Sequence, residues 1–176
     1  MKSKNNNGWT PYNFFKAINY NDNDVIQITL WNKGQKAKIL ETSIVEISKI
    51  IEKYNGVFNI LFYIQPLNRI KTDLIVVDYD FEFLPKIDCS LIVNSGSGYH
   101  LYFLFKEELK NKYGNIRTKI NKKYNGDTRY SNLSQLKKRV PFTLNIKDKN
   151  NINNSQIITP YGSEIALFER SKDFIR

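Results

Sequence analysis

Asp73-Leu-Ile-Val-Val-Asp78-Tyr-Asp80-Phe-Glu82 is the segment from which the fold of this 176-residue chain can be inferred. Its nearly continuous apolar run predicts a strand that is covered on both faces and central in a sheet. Because residues two apart in a strand face the same side, Asp78 and Asp80 should project together from its end, with Glu82 next. Two carboxylates this close stay ionised at low cost only with a cation between them. Oxygen ligands of this kind suit Mg²⁺ or Mn²⁺, and the alternative is an acidic strand end in solvent.

A glycine-rich hairpin is predicted further along the chain. Residues 90–94 and 99–105 are apolar and rich in β-formers, and Ser95-Gly-Ser-Gly98 joins them. Glycines at such a turn let a phosphate approach the backbone closely. His100 lies just inside the second strand, where it could donate to a triphosphate oxygen. The alternative is a plain hairpin with a hydrogen-bonded histidine.

A third group of polar residues follows Gly126. Asp127 is a candidate third carboxylate, and a turn or N-cap residue is the alternative. Arg139 and Lys147 are candidate phosphate ligands, Arg as a planar fork and Lys as a point charge. A lysine-rich helix precedes this group, and its lysines form either a solvated face or a surface that tracks a template backbone. These lysines are Lys110, Lys112, Lys119, Lys122 and Lys123.

The remaining segments give an α+β pattern. Helices are predicted over residues 9–20, 42–54, 107–124 and 130–138, the first with Thr10 as its cap and Pro11 at its first position. Further strands are predicted over residues 25–31, 57–64 and 155–159. This order favours a mixed sheet with helices on its faces.

Composition limits the classes of function. The formal charge of +10 favours polyanionic partners, nucleic acid first. Cys89 is the only cysteine and His100 the only histidine, which excludes an intrachain disulfide, a cysteine-based zinc site and a multi-histidine metal site. No apolar run approaches the roughly 20 residues that span a bilayer, and the first residues lack the apolar core of a signal peptide. We therefore expect a cytoplasmic protein with no membrane partner.

Together these motifs resemble the archaeo-eukaryotic primase superfamily, especially the small primase-polymerase domains of plasmids and viruses. Asp78-Tyr-Asp80 looks like its Asp-x-Asp motif, Ser95-Gly-Ser-Gly-Tyr-His100 like its Ser-x-His-type motif, and Asp127 like its later acidic residue. Arg139-Val-Pro-Phe-Thr-Leu-Asn145 is similar to an Arg-(Leu/Val)-Pro-Gly-Thr-x-Asn signature of mobile-element members. Phe142 departs from that signature, because it stands where a glycine is usual.

The resemblance implies a primase-polymerase catalytic core with an RNA-recognition-like sheet. Residues 1–8 would be a flexible tail, residues 9–56 an αβ N-terminal unit, and residues 57–176 the catalytic unit of the same domain. The resemblance also implies the roles of the site residues. Asp78, Asp80 and Asp127 would hold Mg²⁺ or Mn²⁺ with Glu82 as an accessory acid, while Ser97, His100, Arg139 and Lys147 would bind the nucleotide.

The function implied by the resemblance is template-dependent nucleotidyl transfer in the replication of a plasmid, virus or mobile element. The enzyme would make or extend primers from nucleoside triphosphates, NTP or dNTP, on a single-stranded DNA template. Larger family members carry further domains, so we expect a helicase or another replication protein as a partner. Two alternatives stay open: a replication initiator module that grips nucleic acid without catalysis, and a metal-dependent nuclease. Clustered carboxylates argue against the pure binder, since they face a polyanion.

Overall fold

The computed structural model describes residues 9–80, 89–126 and 137–146, and the backbone of residues 153–154 and 156–158. Helices and antiparallel strands make up these ranges, so the predicted α+β class is confirmed. The tail expected over residues 1–8 lies outside the described residues, as do Glu82, Asp127 and Lys147. In the part of the chain that is described, no helix is both long enough and apolar enough to cross a bilayer.

The N-terminal helix starts where its sequence predicts. Helix α1 (Pro11–Ala17) has proline at its first position, and the Thr10 hydroxyl accepts a hydrogen bond from the Asn13 amide at 3.1 Å. This is the N-cap interaction expected of threonine. Strand β1 (Val25–Trp31) follows with its predicted bounds.

The segment after β1 corrects one prediction. Strand β2 (Lys38–Ser43) precedes helix α2 (Ile47–Tyr54), so the helix predicted over residues 42–54 begins too early. The whole of β2 pairs antiparallel with β1. Isoleucines recur at helical spacing in this segment, at positions 39, 44, 47, 50 and 51, but Ile39 lies on β2 and is 57% exposed. Backbone pairing with a neighbouring strand outweighs such a local pattern.

The other elements agree with the sequence except near the C-terminus. Instead of the single helix predicted over residues 107–124, the chain forms a 3₁₀ turn at Lys110–Lys112 followed by helix α3 (Tyr113–Lys123). The helix predicted over residues 130–138 is wrong at residues 137–138, which belong to a strand (Lys137–Arg139) that pairs with strand β3 (Asn59–Tyr63). The short strands β8 and β9 were not predicted. The elements are β3 (Asn59–Tyr63), β4 (Leu74–Tyr79), β5 (Leu91–Asn94), β6 (Tyr99–Leu104), α3 (Tyr113–Lys123), β7 (Lys137–Arg139), β8 (Leu144–Asn145), β9 (Asn153–Asn154) and β10 (Gln156–Ile158).

Two four-stranded sheets carry the described fold. The first has the order β2-β1-β3-β7, and the second has the order β10-β5-β6-β4. The first sheet takes strands from either side of the boundary expected between residues 56 and 57. All ladders between the described strands are antiparallel, where a mixed sheet was expected.

Strand β4 lies at the edge of its sheet, whereas its apolar run predicted a central position. Its side chains are nevertheless buried on both faces. Val76 belongs to a core between the two sheets, which also contains Phe62 and Tyr102. Val77 belongs to a second core, between the second sheet and α3. Two covered faces explain the apolar run without a central position, because burial depends on the layers above and below as well as on neighbouring strands.

Candidate active site

Strand pairing brings Asp78 beside His100. The two residues are partners in the β4–β6 ladder, and His100 Nε2 lies 3.3 Å from Asp78 Oδ1. Asp78 shares the face of Leu74 and Val76, so its carboxylate ends the core between the two sheets. Burial lowers the pKa of His100 to about 3, with a further lowering from Lys138 that exceeds the opposing effect of Asp78. The imidazole is therefore neutral at pH 7.

The first sheet supplies a cation to the same carboxylate. Lys138 Nζ lies 2.6 Å from Asp78 Oδ2, and the lysine side chain is only 2% exposed. Lys138 pairs with Phe62 on the neighbouring strand, which places it on the face that packs against the second sheet. Sequence reasoning missed Lys138 because a helix was predicted there. Strand alternation in Lys137-Lys138-Arg139 could have found it, since it points the middle residue away from its neighbours.

The glycine hairpin has the predicted form. The Ser95 amide donates to the Gly98 carbonyl at 2.9 Å, and the Gly96 amide donates to Asn94 Oδ1 at 2.8 Å. Gly96 has a φ of 87°, a conformation that glycine adopts without strain. Ser97 is exposed at the tip of the turn, whereas Ser95 is buried and donates from Oγ to the Gly98 carbonyl at 3.2 Å. Of the two serines, Ser97 is therefore the one open to a ligand.

Gly98 packs directly against the end of β4. A Cβ atom at this position would lie 2.9 Å from the Tyr79 carbonyl oxygen and 3.3 Å from Asp80 Oδ1. Asp80 itself is exposed just beyond the strand. The lack of a side chain at Gly98 thus lets the turn sit directly beside Tyr79 and Asp80.

Replacing Gly98 with alanine is expected to disturb the site more than the fold. The added methyl group overpacks the contact with Tyr79, which costs about 1–3 kcal/mol of unfolding free energy. In the nucleotidyl transfer that the resemblance implies, displacement of Asp80 should lower the rate by about 10- to 100-fold. Gly114→Ala is the matched control, because no atom lies within 4 Å of the added group. Thermal unfolding and a primer-synthesis assay measure the two effects, and equal activity of both variants would contradict the prediction.

Gly126 brings the end of α3 to the same place. A Cβ atom on Gly126 would lie 2.3 Å from Val77 Cγ1 and 3.5 Å from the Asp78 carbonyl oxygen, so a side chain cannot be accommodated there. Asp127 is the next residue in the sequence and lies outside the described residues. The predicted roles of Asp127, Glu82 and Lys147 stay predictions for the same reason.

Arg139 is engaged inside the protein. Its guanidinium donates to Asn59 Oδ1 at 2.9 Å, to the Leu144 carbonyl at 3.1 Å and to Asn145 Oδ1 at 2.9 Å. Burial lowers the pKa of Arg139 to about 10, which still leaves it protonated at neutral pH. These bonds connect β7 to β3 and β8, and the Asn145 amide continues to the Ser95 carbonyl at 3.4 Å. The predicted triphosphate contact of Arg139 stays a prediction.

Two buried polar atoms at the end of the core between the two sheets have no hydrogen-bond partner in the described part of the chain. They are His100 Nδ1 and the Tyr102 hydroxyl oxygen. Burial, and then the Asp78 charge, raise the pKa of Tyr102. Such atoms usually bond to water or to a ligand, because leaving one unpaired costs about 1–3 kcal/mol. The end of the inter-sheet core is therefore polar enough to receive a polar ligand.

The donor set fits a hard divalent cation. Among the described residues no cluster of three or more His, Cys, Asp or Glu side chains could hold a metal ion. Mg²⁺, however, is commonly held by one or two protein carboxylates, with waters and substrate phosphates completing its shell. Asp78, on β4, and Asp80, just beyond it, are two such carboxylates. Asp78 is already paired with the ammonium of Lys138 at 2.6 Å.

The fold is similar to that of solved primase catalytic domains, so the fold that the resemblance implies is confirmed. The AEP domain of the cyanophage S-2L primase-polymerase (PrimPol) superposes with a TM-score of 0.67 at 12% identity, covering 92% of each chain. The catalytic domain of primase RepB′ in complex with initiator DNA gives 0.65 at 16% identity, covering 92% of this chain and 90% of that one.

A longer structure of primase RepB′ gives a TM-score of 0.65 at 15% identity, and the match covers 60% of that chain. No protein-family model and no curated protein matches the sequence. At these identities the comparisons concern the fold, so the roles of the residues must be argued from their chemistry.

Proposed function

We propose that the protein is a template-dependent nucleotidyltransferase, a primase or primase-polymerase that makes or extends primers from NTP or dNTP. One observation supports this above the others. Asp78, at the end of a strand in a primase-type fold, contacts a cation from the opposite sheet and a neutral histidine, beside a glycine hairpin. Carboxylate, lysine and histidine side chains together suit a metal-bound triphosphate.

In this proposal Asp78 and Asp80 hold Mg²⁺ or Mn²⁺, and Asp127 completes the set, with Glu82 as an accessory acid. When bound, the divalent ions supply positive charge at the phosphate oxygens where negative charge develops. The proposed reaction uses two ions, and one aspartate cannot position both, so a second and a third carboxylate ligand are required. We also propose that residues 9–176 form a single catalytic domain.

The chain's own residues bind and orient the triphosphate. Lys138 would place its ammonium on phosphate oxygens, because a divalent ion held by Asp78 would neutralise that carboxylate in its place. His100 Nε2–H donates to a phosphate oxygen as a neutral imidazole, and Ser97 donates from the hairpin tip. Lys147 is a further candidate for the same phosphates. Each of these donors is stronger in a site from which water is excluded, as the burial of Lys138 and His100 favours.

The proposed partners are a single-stranded DNA template, nucleoside triphosphates, and a helicase or another replication protein. The formal charge of +10 supports a polyanionic template. One of the similar structures, primase RepB′, was solved in complex with initiator DNA. The proposed setting is the replication of a plasmid, virus or mobile element inside a cell.

The test is synthesis by the full chain with single-stranded DNA, labelled nucleotides and Mg²⁺ or Mn²⁺. We expect template-dependent products, and a loss of at least about 100-fold in the Asp78→Asn/Asp80→Asn variant, which keeps the shape of both side chains. Absence of both products and nucleotide binding would overturn the proposal. Template binding without synthesis would favour the initiator module, and strand cleavage would favour the nuclease.

A further inference from the structure

Helix α3 carries an exposed face that is basic and lacks acidic residues. Residues 110–126 contain six Lys or Arg and no Asp or Glu. The apolar side chains Ile116 and Ile120 pack into the second core. Lys112, Lys119 and Lys122 are exposed at spacings of seven and three residues, which places them on one side of the helix. These three residues define the α3 lysine face.

The lysines of this face do not stabilise the protein by local charge pairing. Within the described ranges none of the three lies within ion-pair distance of a carboxylate, whereas Lys49 pairs with Glu46 on α2. Lys112 is the N-cap residue, and no acidic residue occupies the first turn. A cation at a helix N-terminus opposes the helix dipole, and neighbouring lysines repel each other. The arrangement therefore suits an anion that comes from outside.

The helix leads to the candidate active site. At its start, the Tyr113 hydroxyl donates to the Leu74 carbonyl at 2.9 Å, at the beginning of β4. Beyond its end, Gly126 abuts Val77 and Asp78, at the other end of β4. The α3 lysine face thus runs alongside the strand that carries Asp78. The ten residues from Lys112 to Lys122 span about 15 Å along the helix axis. That length corresponds to about four nucleotides, at roughly 3.4 Å per nucleotide of a strand.

The other exposed side chains on this face indicate the kind of anion. Asn115 and Thr118 lie between the lysines and are exposed and polar. No apolar or aromatic side chain accompanies them in this part of the structure, so the face offers neither insertion into a membrane nor a platform for stacked bases. A row of lysines with short polar neighbours suits a sugar–phosphate backbone, which carries a negative charge at every nucleotide.

We propose that the α3 lysine face binds the backbone of the single-stranded template as it enters or leaves the active site. This inference rests on the proposed function, because that function supplies the template. It adds a surface separate from the residues that hold the metal and the triphosphate. The contact is independent of base sequence and sensitive to salt.

The experiment compares two triple variants of the full chain. Lys112→Gln/Lys119→Gln/Lys122→Gln removes the face, and Lys16→Gln/Lys49→Gln/Lys53→Gln removes three exposed lysines from α1 and α2. Each variant loses the same charge, and thermal unfolding checks that each is folded. The affinity for a single-stranded oligonucleotide is measured against salt concentration. Each phosphate contact contributes roughly 0.7 to the slope of log K against log salt for a single strand. Loss of three contacts should therefore make the slope shallower by about 2 in the first variant.

The control variant should keep a slope close to that of the unaltered protein. Equal slopes in the two variants would overturn the inference, as would loss of duplex binding with single-strand binding unchanged. The Asp78→Asn/Asp80→Asn variant separates this inference from the proposed function, because it should lose synthesis and keep the full slope. A protein that binds with the expected slopes yet never synthesises would refute the polymerase and leave the lysine face established.

Discussion

Replacing Lys138 with methionine is expected to abolish most nucleotidyl transfer while strengthening the response to Mg²⁺. The lysine is 2% exposed, with its ammonium 2.6 Å from Asp78 Oδ2. In the proposed reaction it moves to the triphosphate, and loss of one such donor costs about 100- to 1000-fold in rate. In the free protein it competes with the metal for Asp78. Without it, Mg²⁺ should bind more tightly and raise the unfolding temperature further.

Lys137→Met is the matched control for this variant. Lys137 is the same residue type one position earlier, and its ammonium lies over the Tyr63 ring at 4.6 Å, away from Asp78. We expect that variant to keep activity within about threefold, since a partly exposed cation–π contact contributes only about 1 kcal/mol. Synthesis rates and Mg²⁺-dependent unfolding temperatures measure both variants. Near-normal synthesis by Lys138→Met would show that the lysine only neutralises Asp78.

Local patterns predicted most of the fold correctly where several signals agreed. Thr10 and Pro11 start α1, and the alternation in Val25–Trp31 gives β1 with its observed bounds. The glycine turn fixes the hairpin between β5 and β6, because its length and residue types suit few other structures. Prediction failed at β2 and β7, two of the strands of the first sheet. Both are mostly polar, so pairing with β1 and β3 decides their conformation.

The candidate site also divides into contacts that local sequence patterns can predict and contacts that only the packing of the sheets decides. Asp78 and His100 come from neighbouring strands of one hairpin-linked region, so sequence motifs could predict that they meet. Lys138 reaches Asp78 from the other sheet, and no local pattern encodes a contact between residues 60 positions apart. The packing of the two sheets is therefore what converts an acidic strand end into a charged site. Its electrostatics depend on the register of β7, in which Phe62 is opposite Lys138.

The largest loss of stability is expected at Arg139. Arg139 is 7% exposed, and its guanidinium donates to Asn59, Asn145 and the Leu144 carbonyl. Arg139→Met fills similar space and leaves these three acceptors unsatisfied in the interior. At about 1–3 kcal/mol for each acceptor that finds no water, the unfolding free energy should fall by about 3–5 kcal/mol. Arg139→Lys keeps the charge but cannot reproduce the planar fork, so we expect it to restore only part of the loss.

Denaturant unfolding of both Arg139 variants measures this loss, and triphosphate binding at a temperature where they remain folded tests the role predicted from the sequence. If Arg139 is structural, the folded fraction binds the nucleotide with nearly normal affinity, because Lys138 and His100 keep their positions. If it contacts the γ-phosphate, affinity falls while the unfolding free energy barely changes. The second result would contradict the structure, in which a charge that is this deeply buried is already bonded to three oxygen atoms of the protein. These bonds use three of the five N–H groups of Arg139 and join β7 to β3 and β8, so a phosphate that drew the guanidinium out of the interior would couple binding to local unfolding.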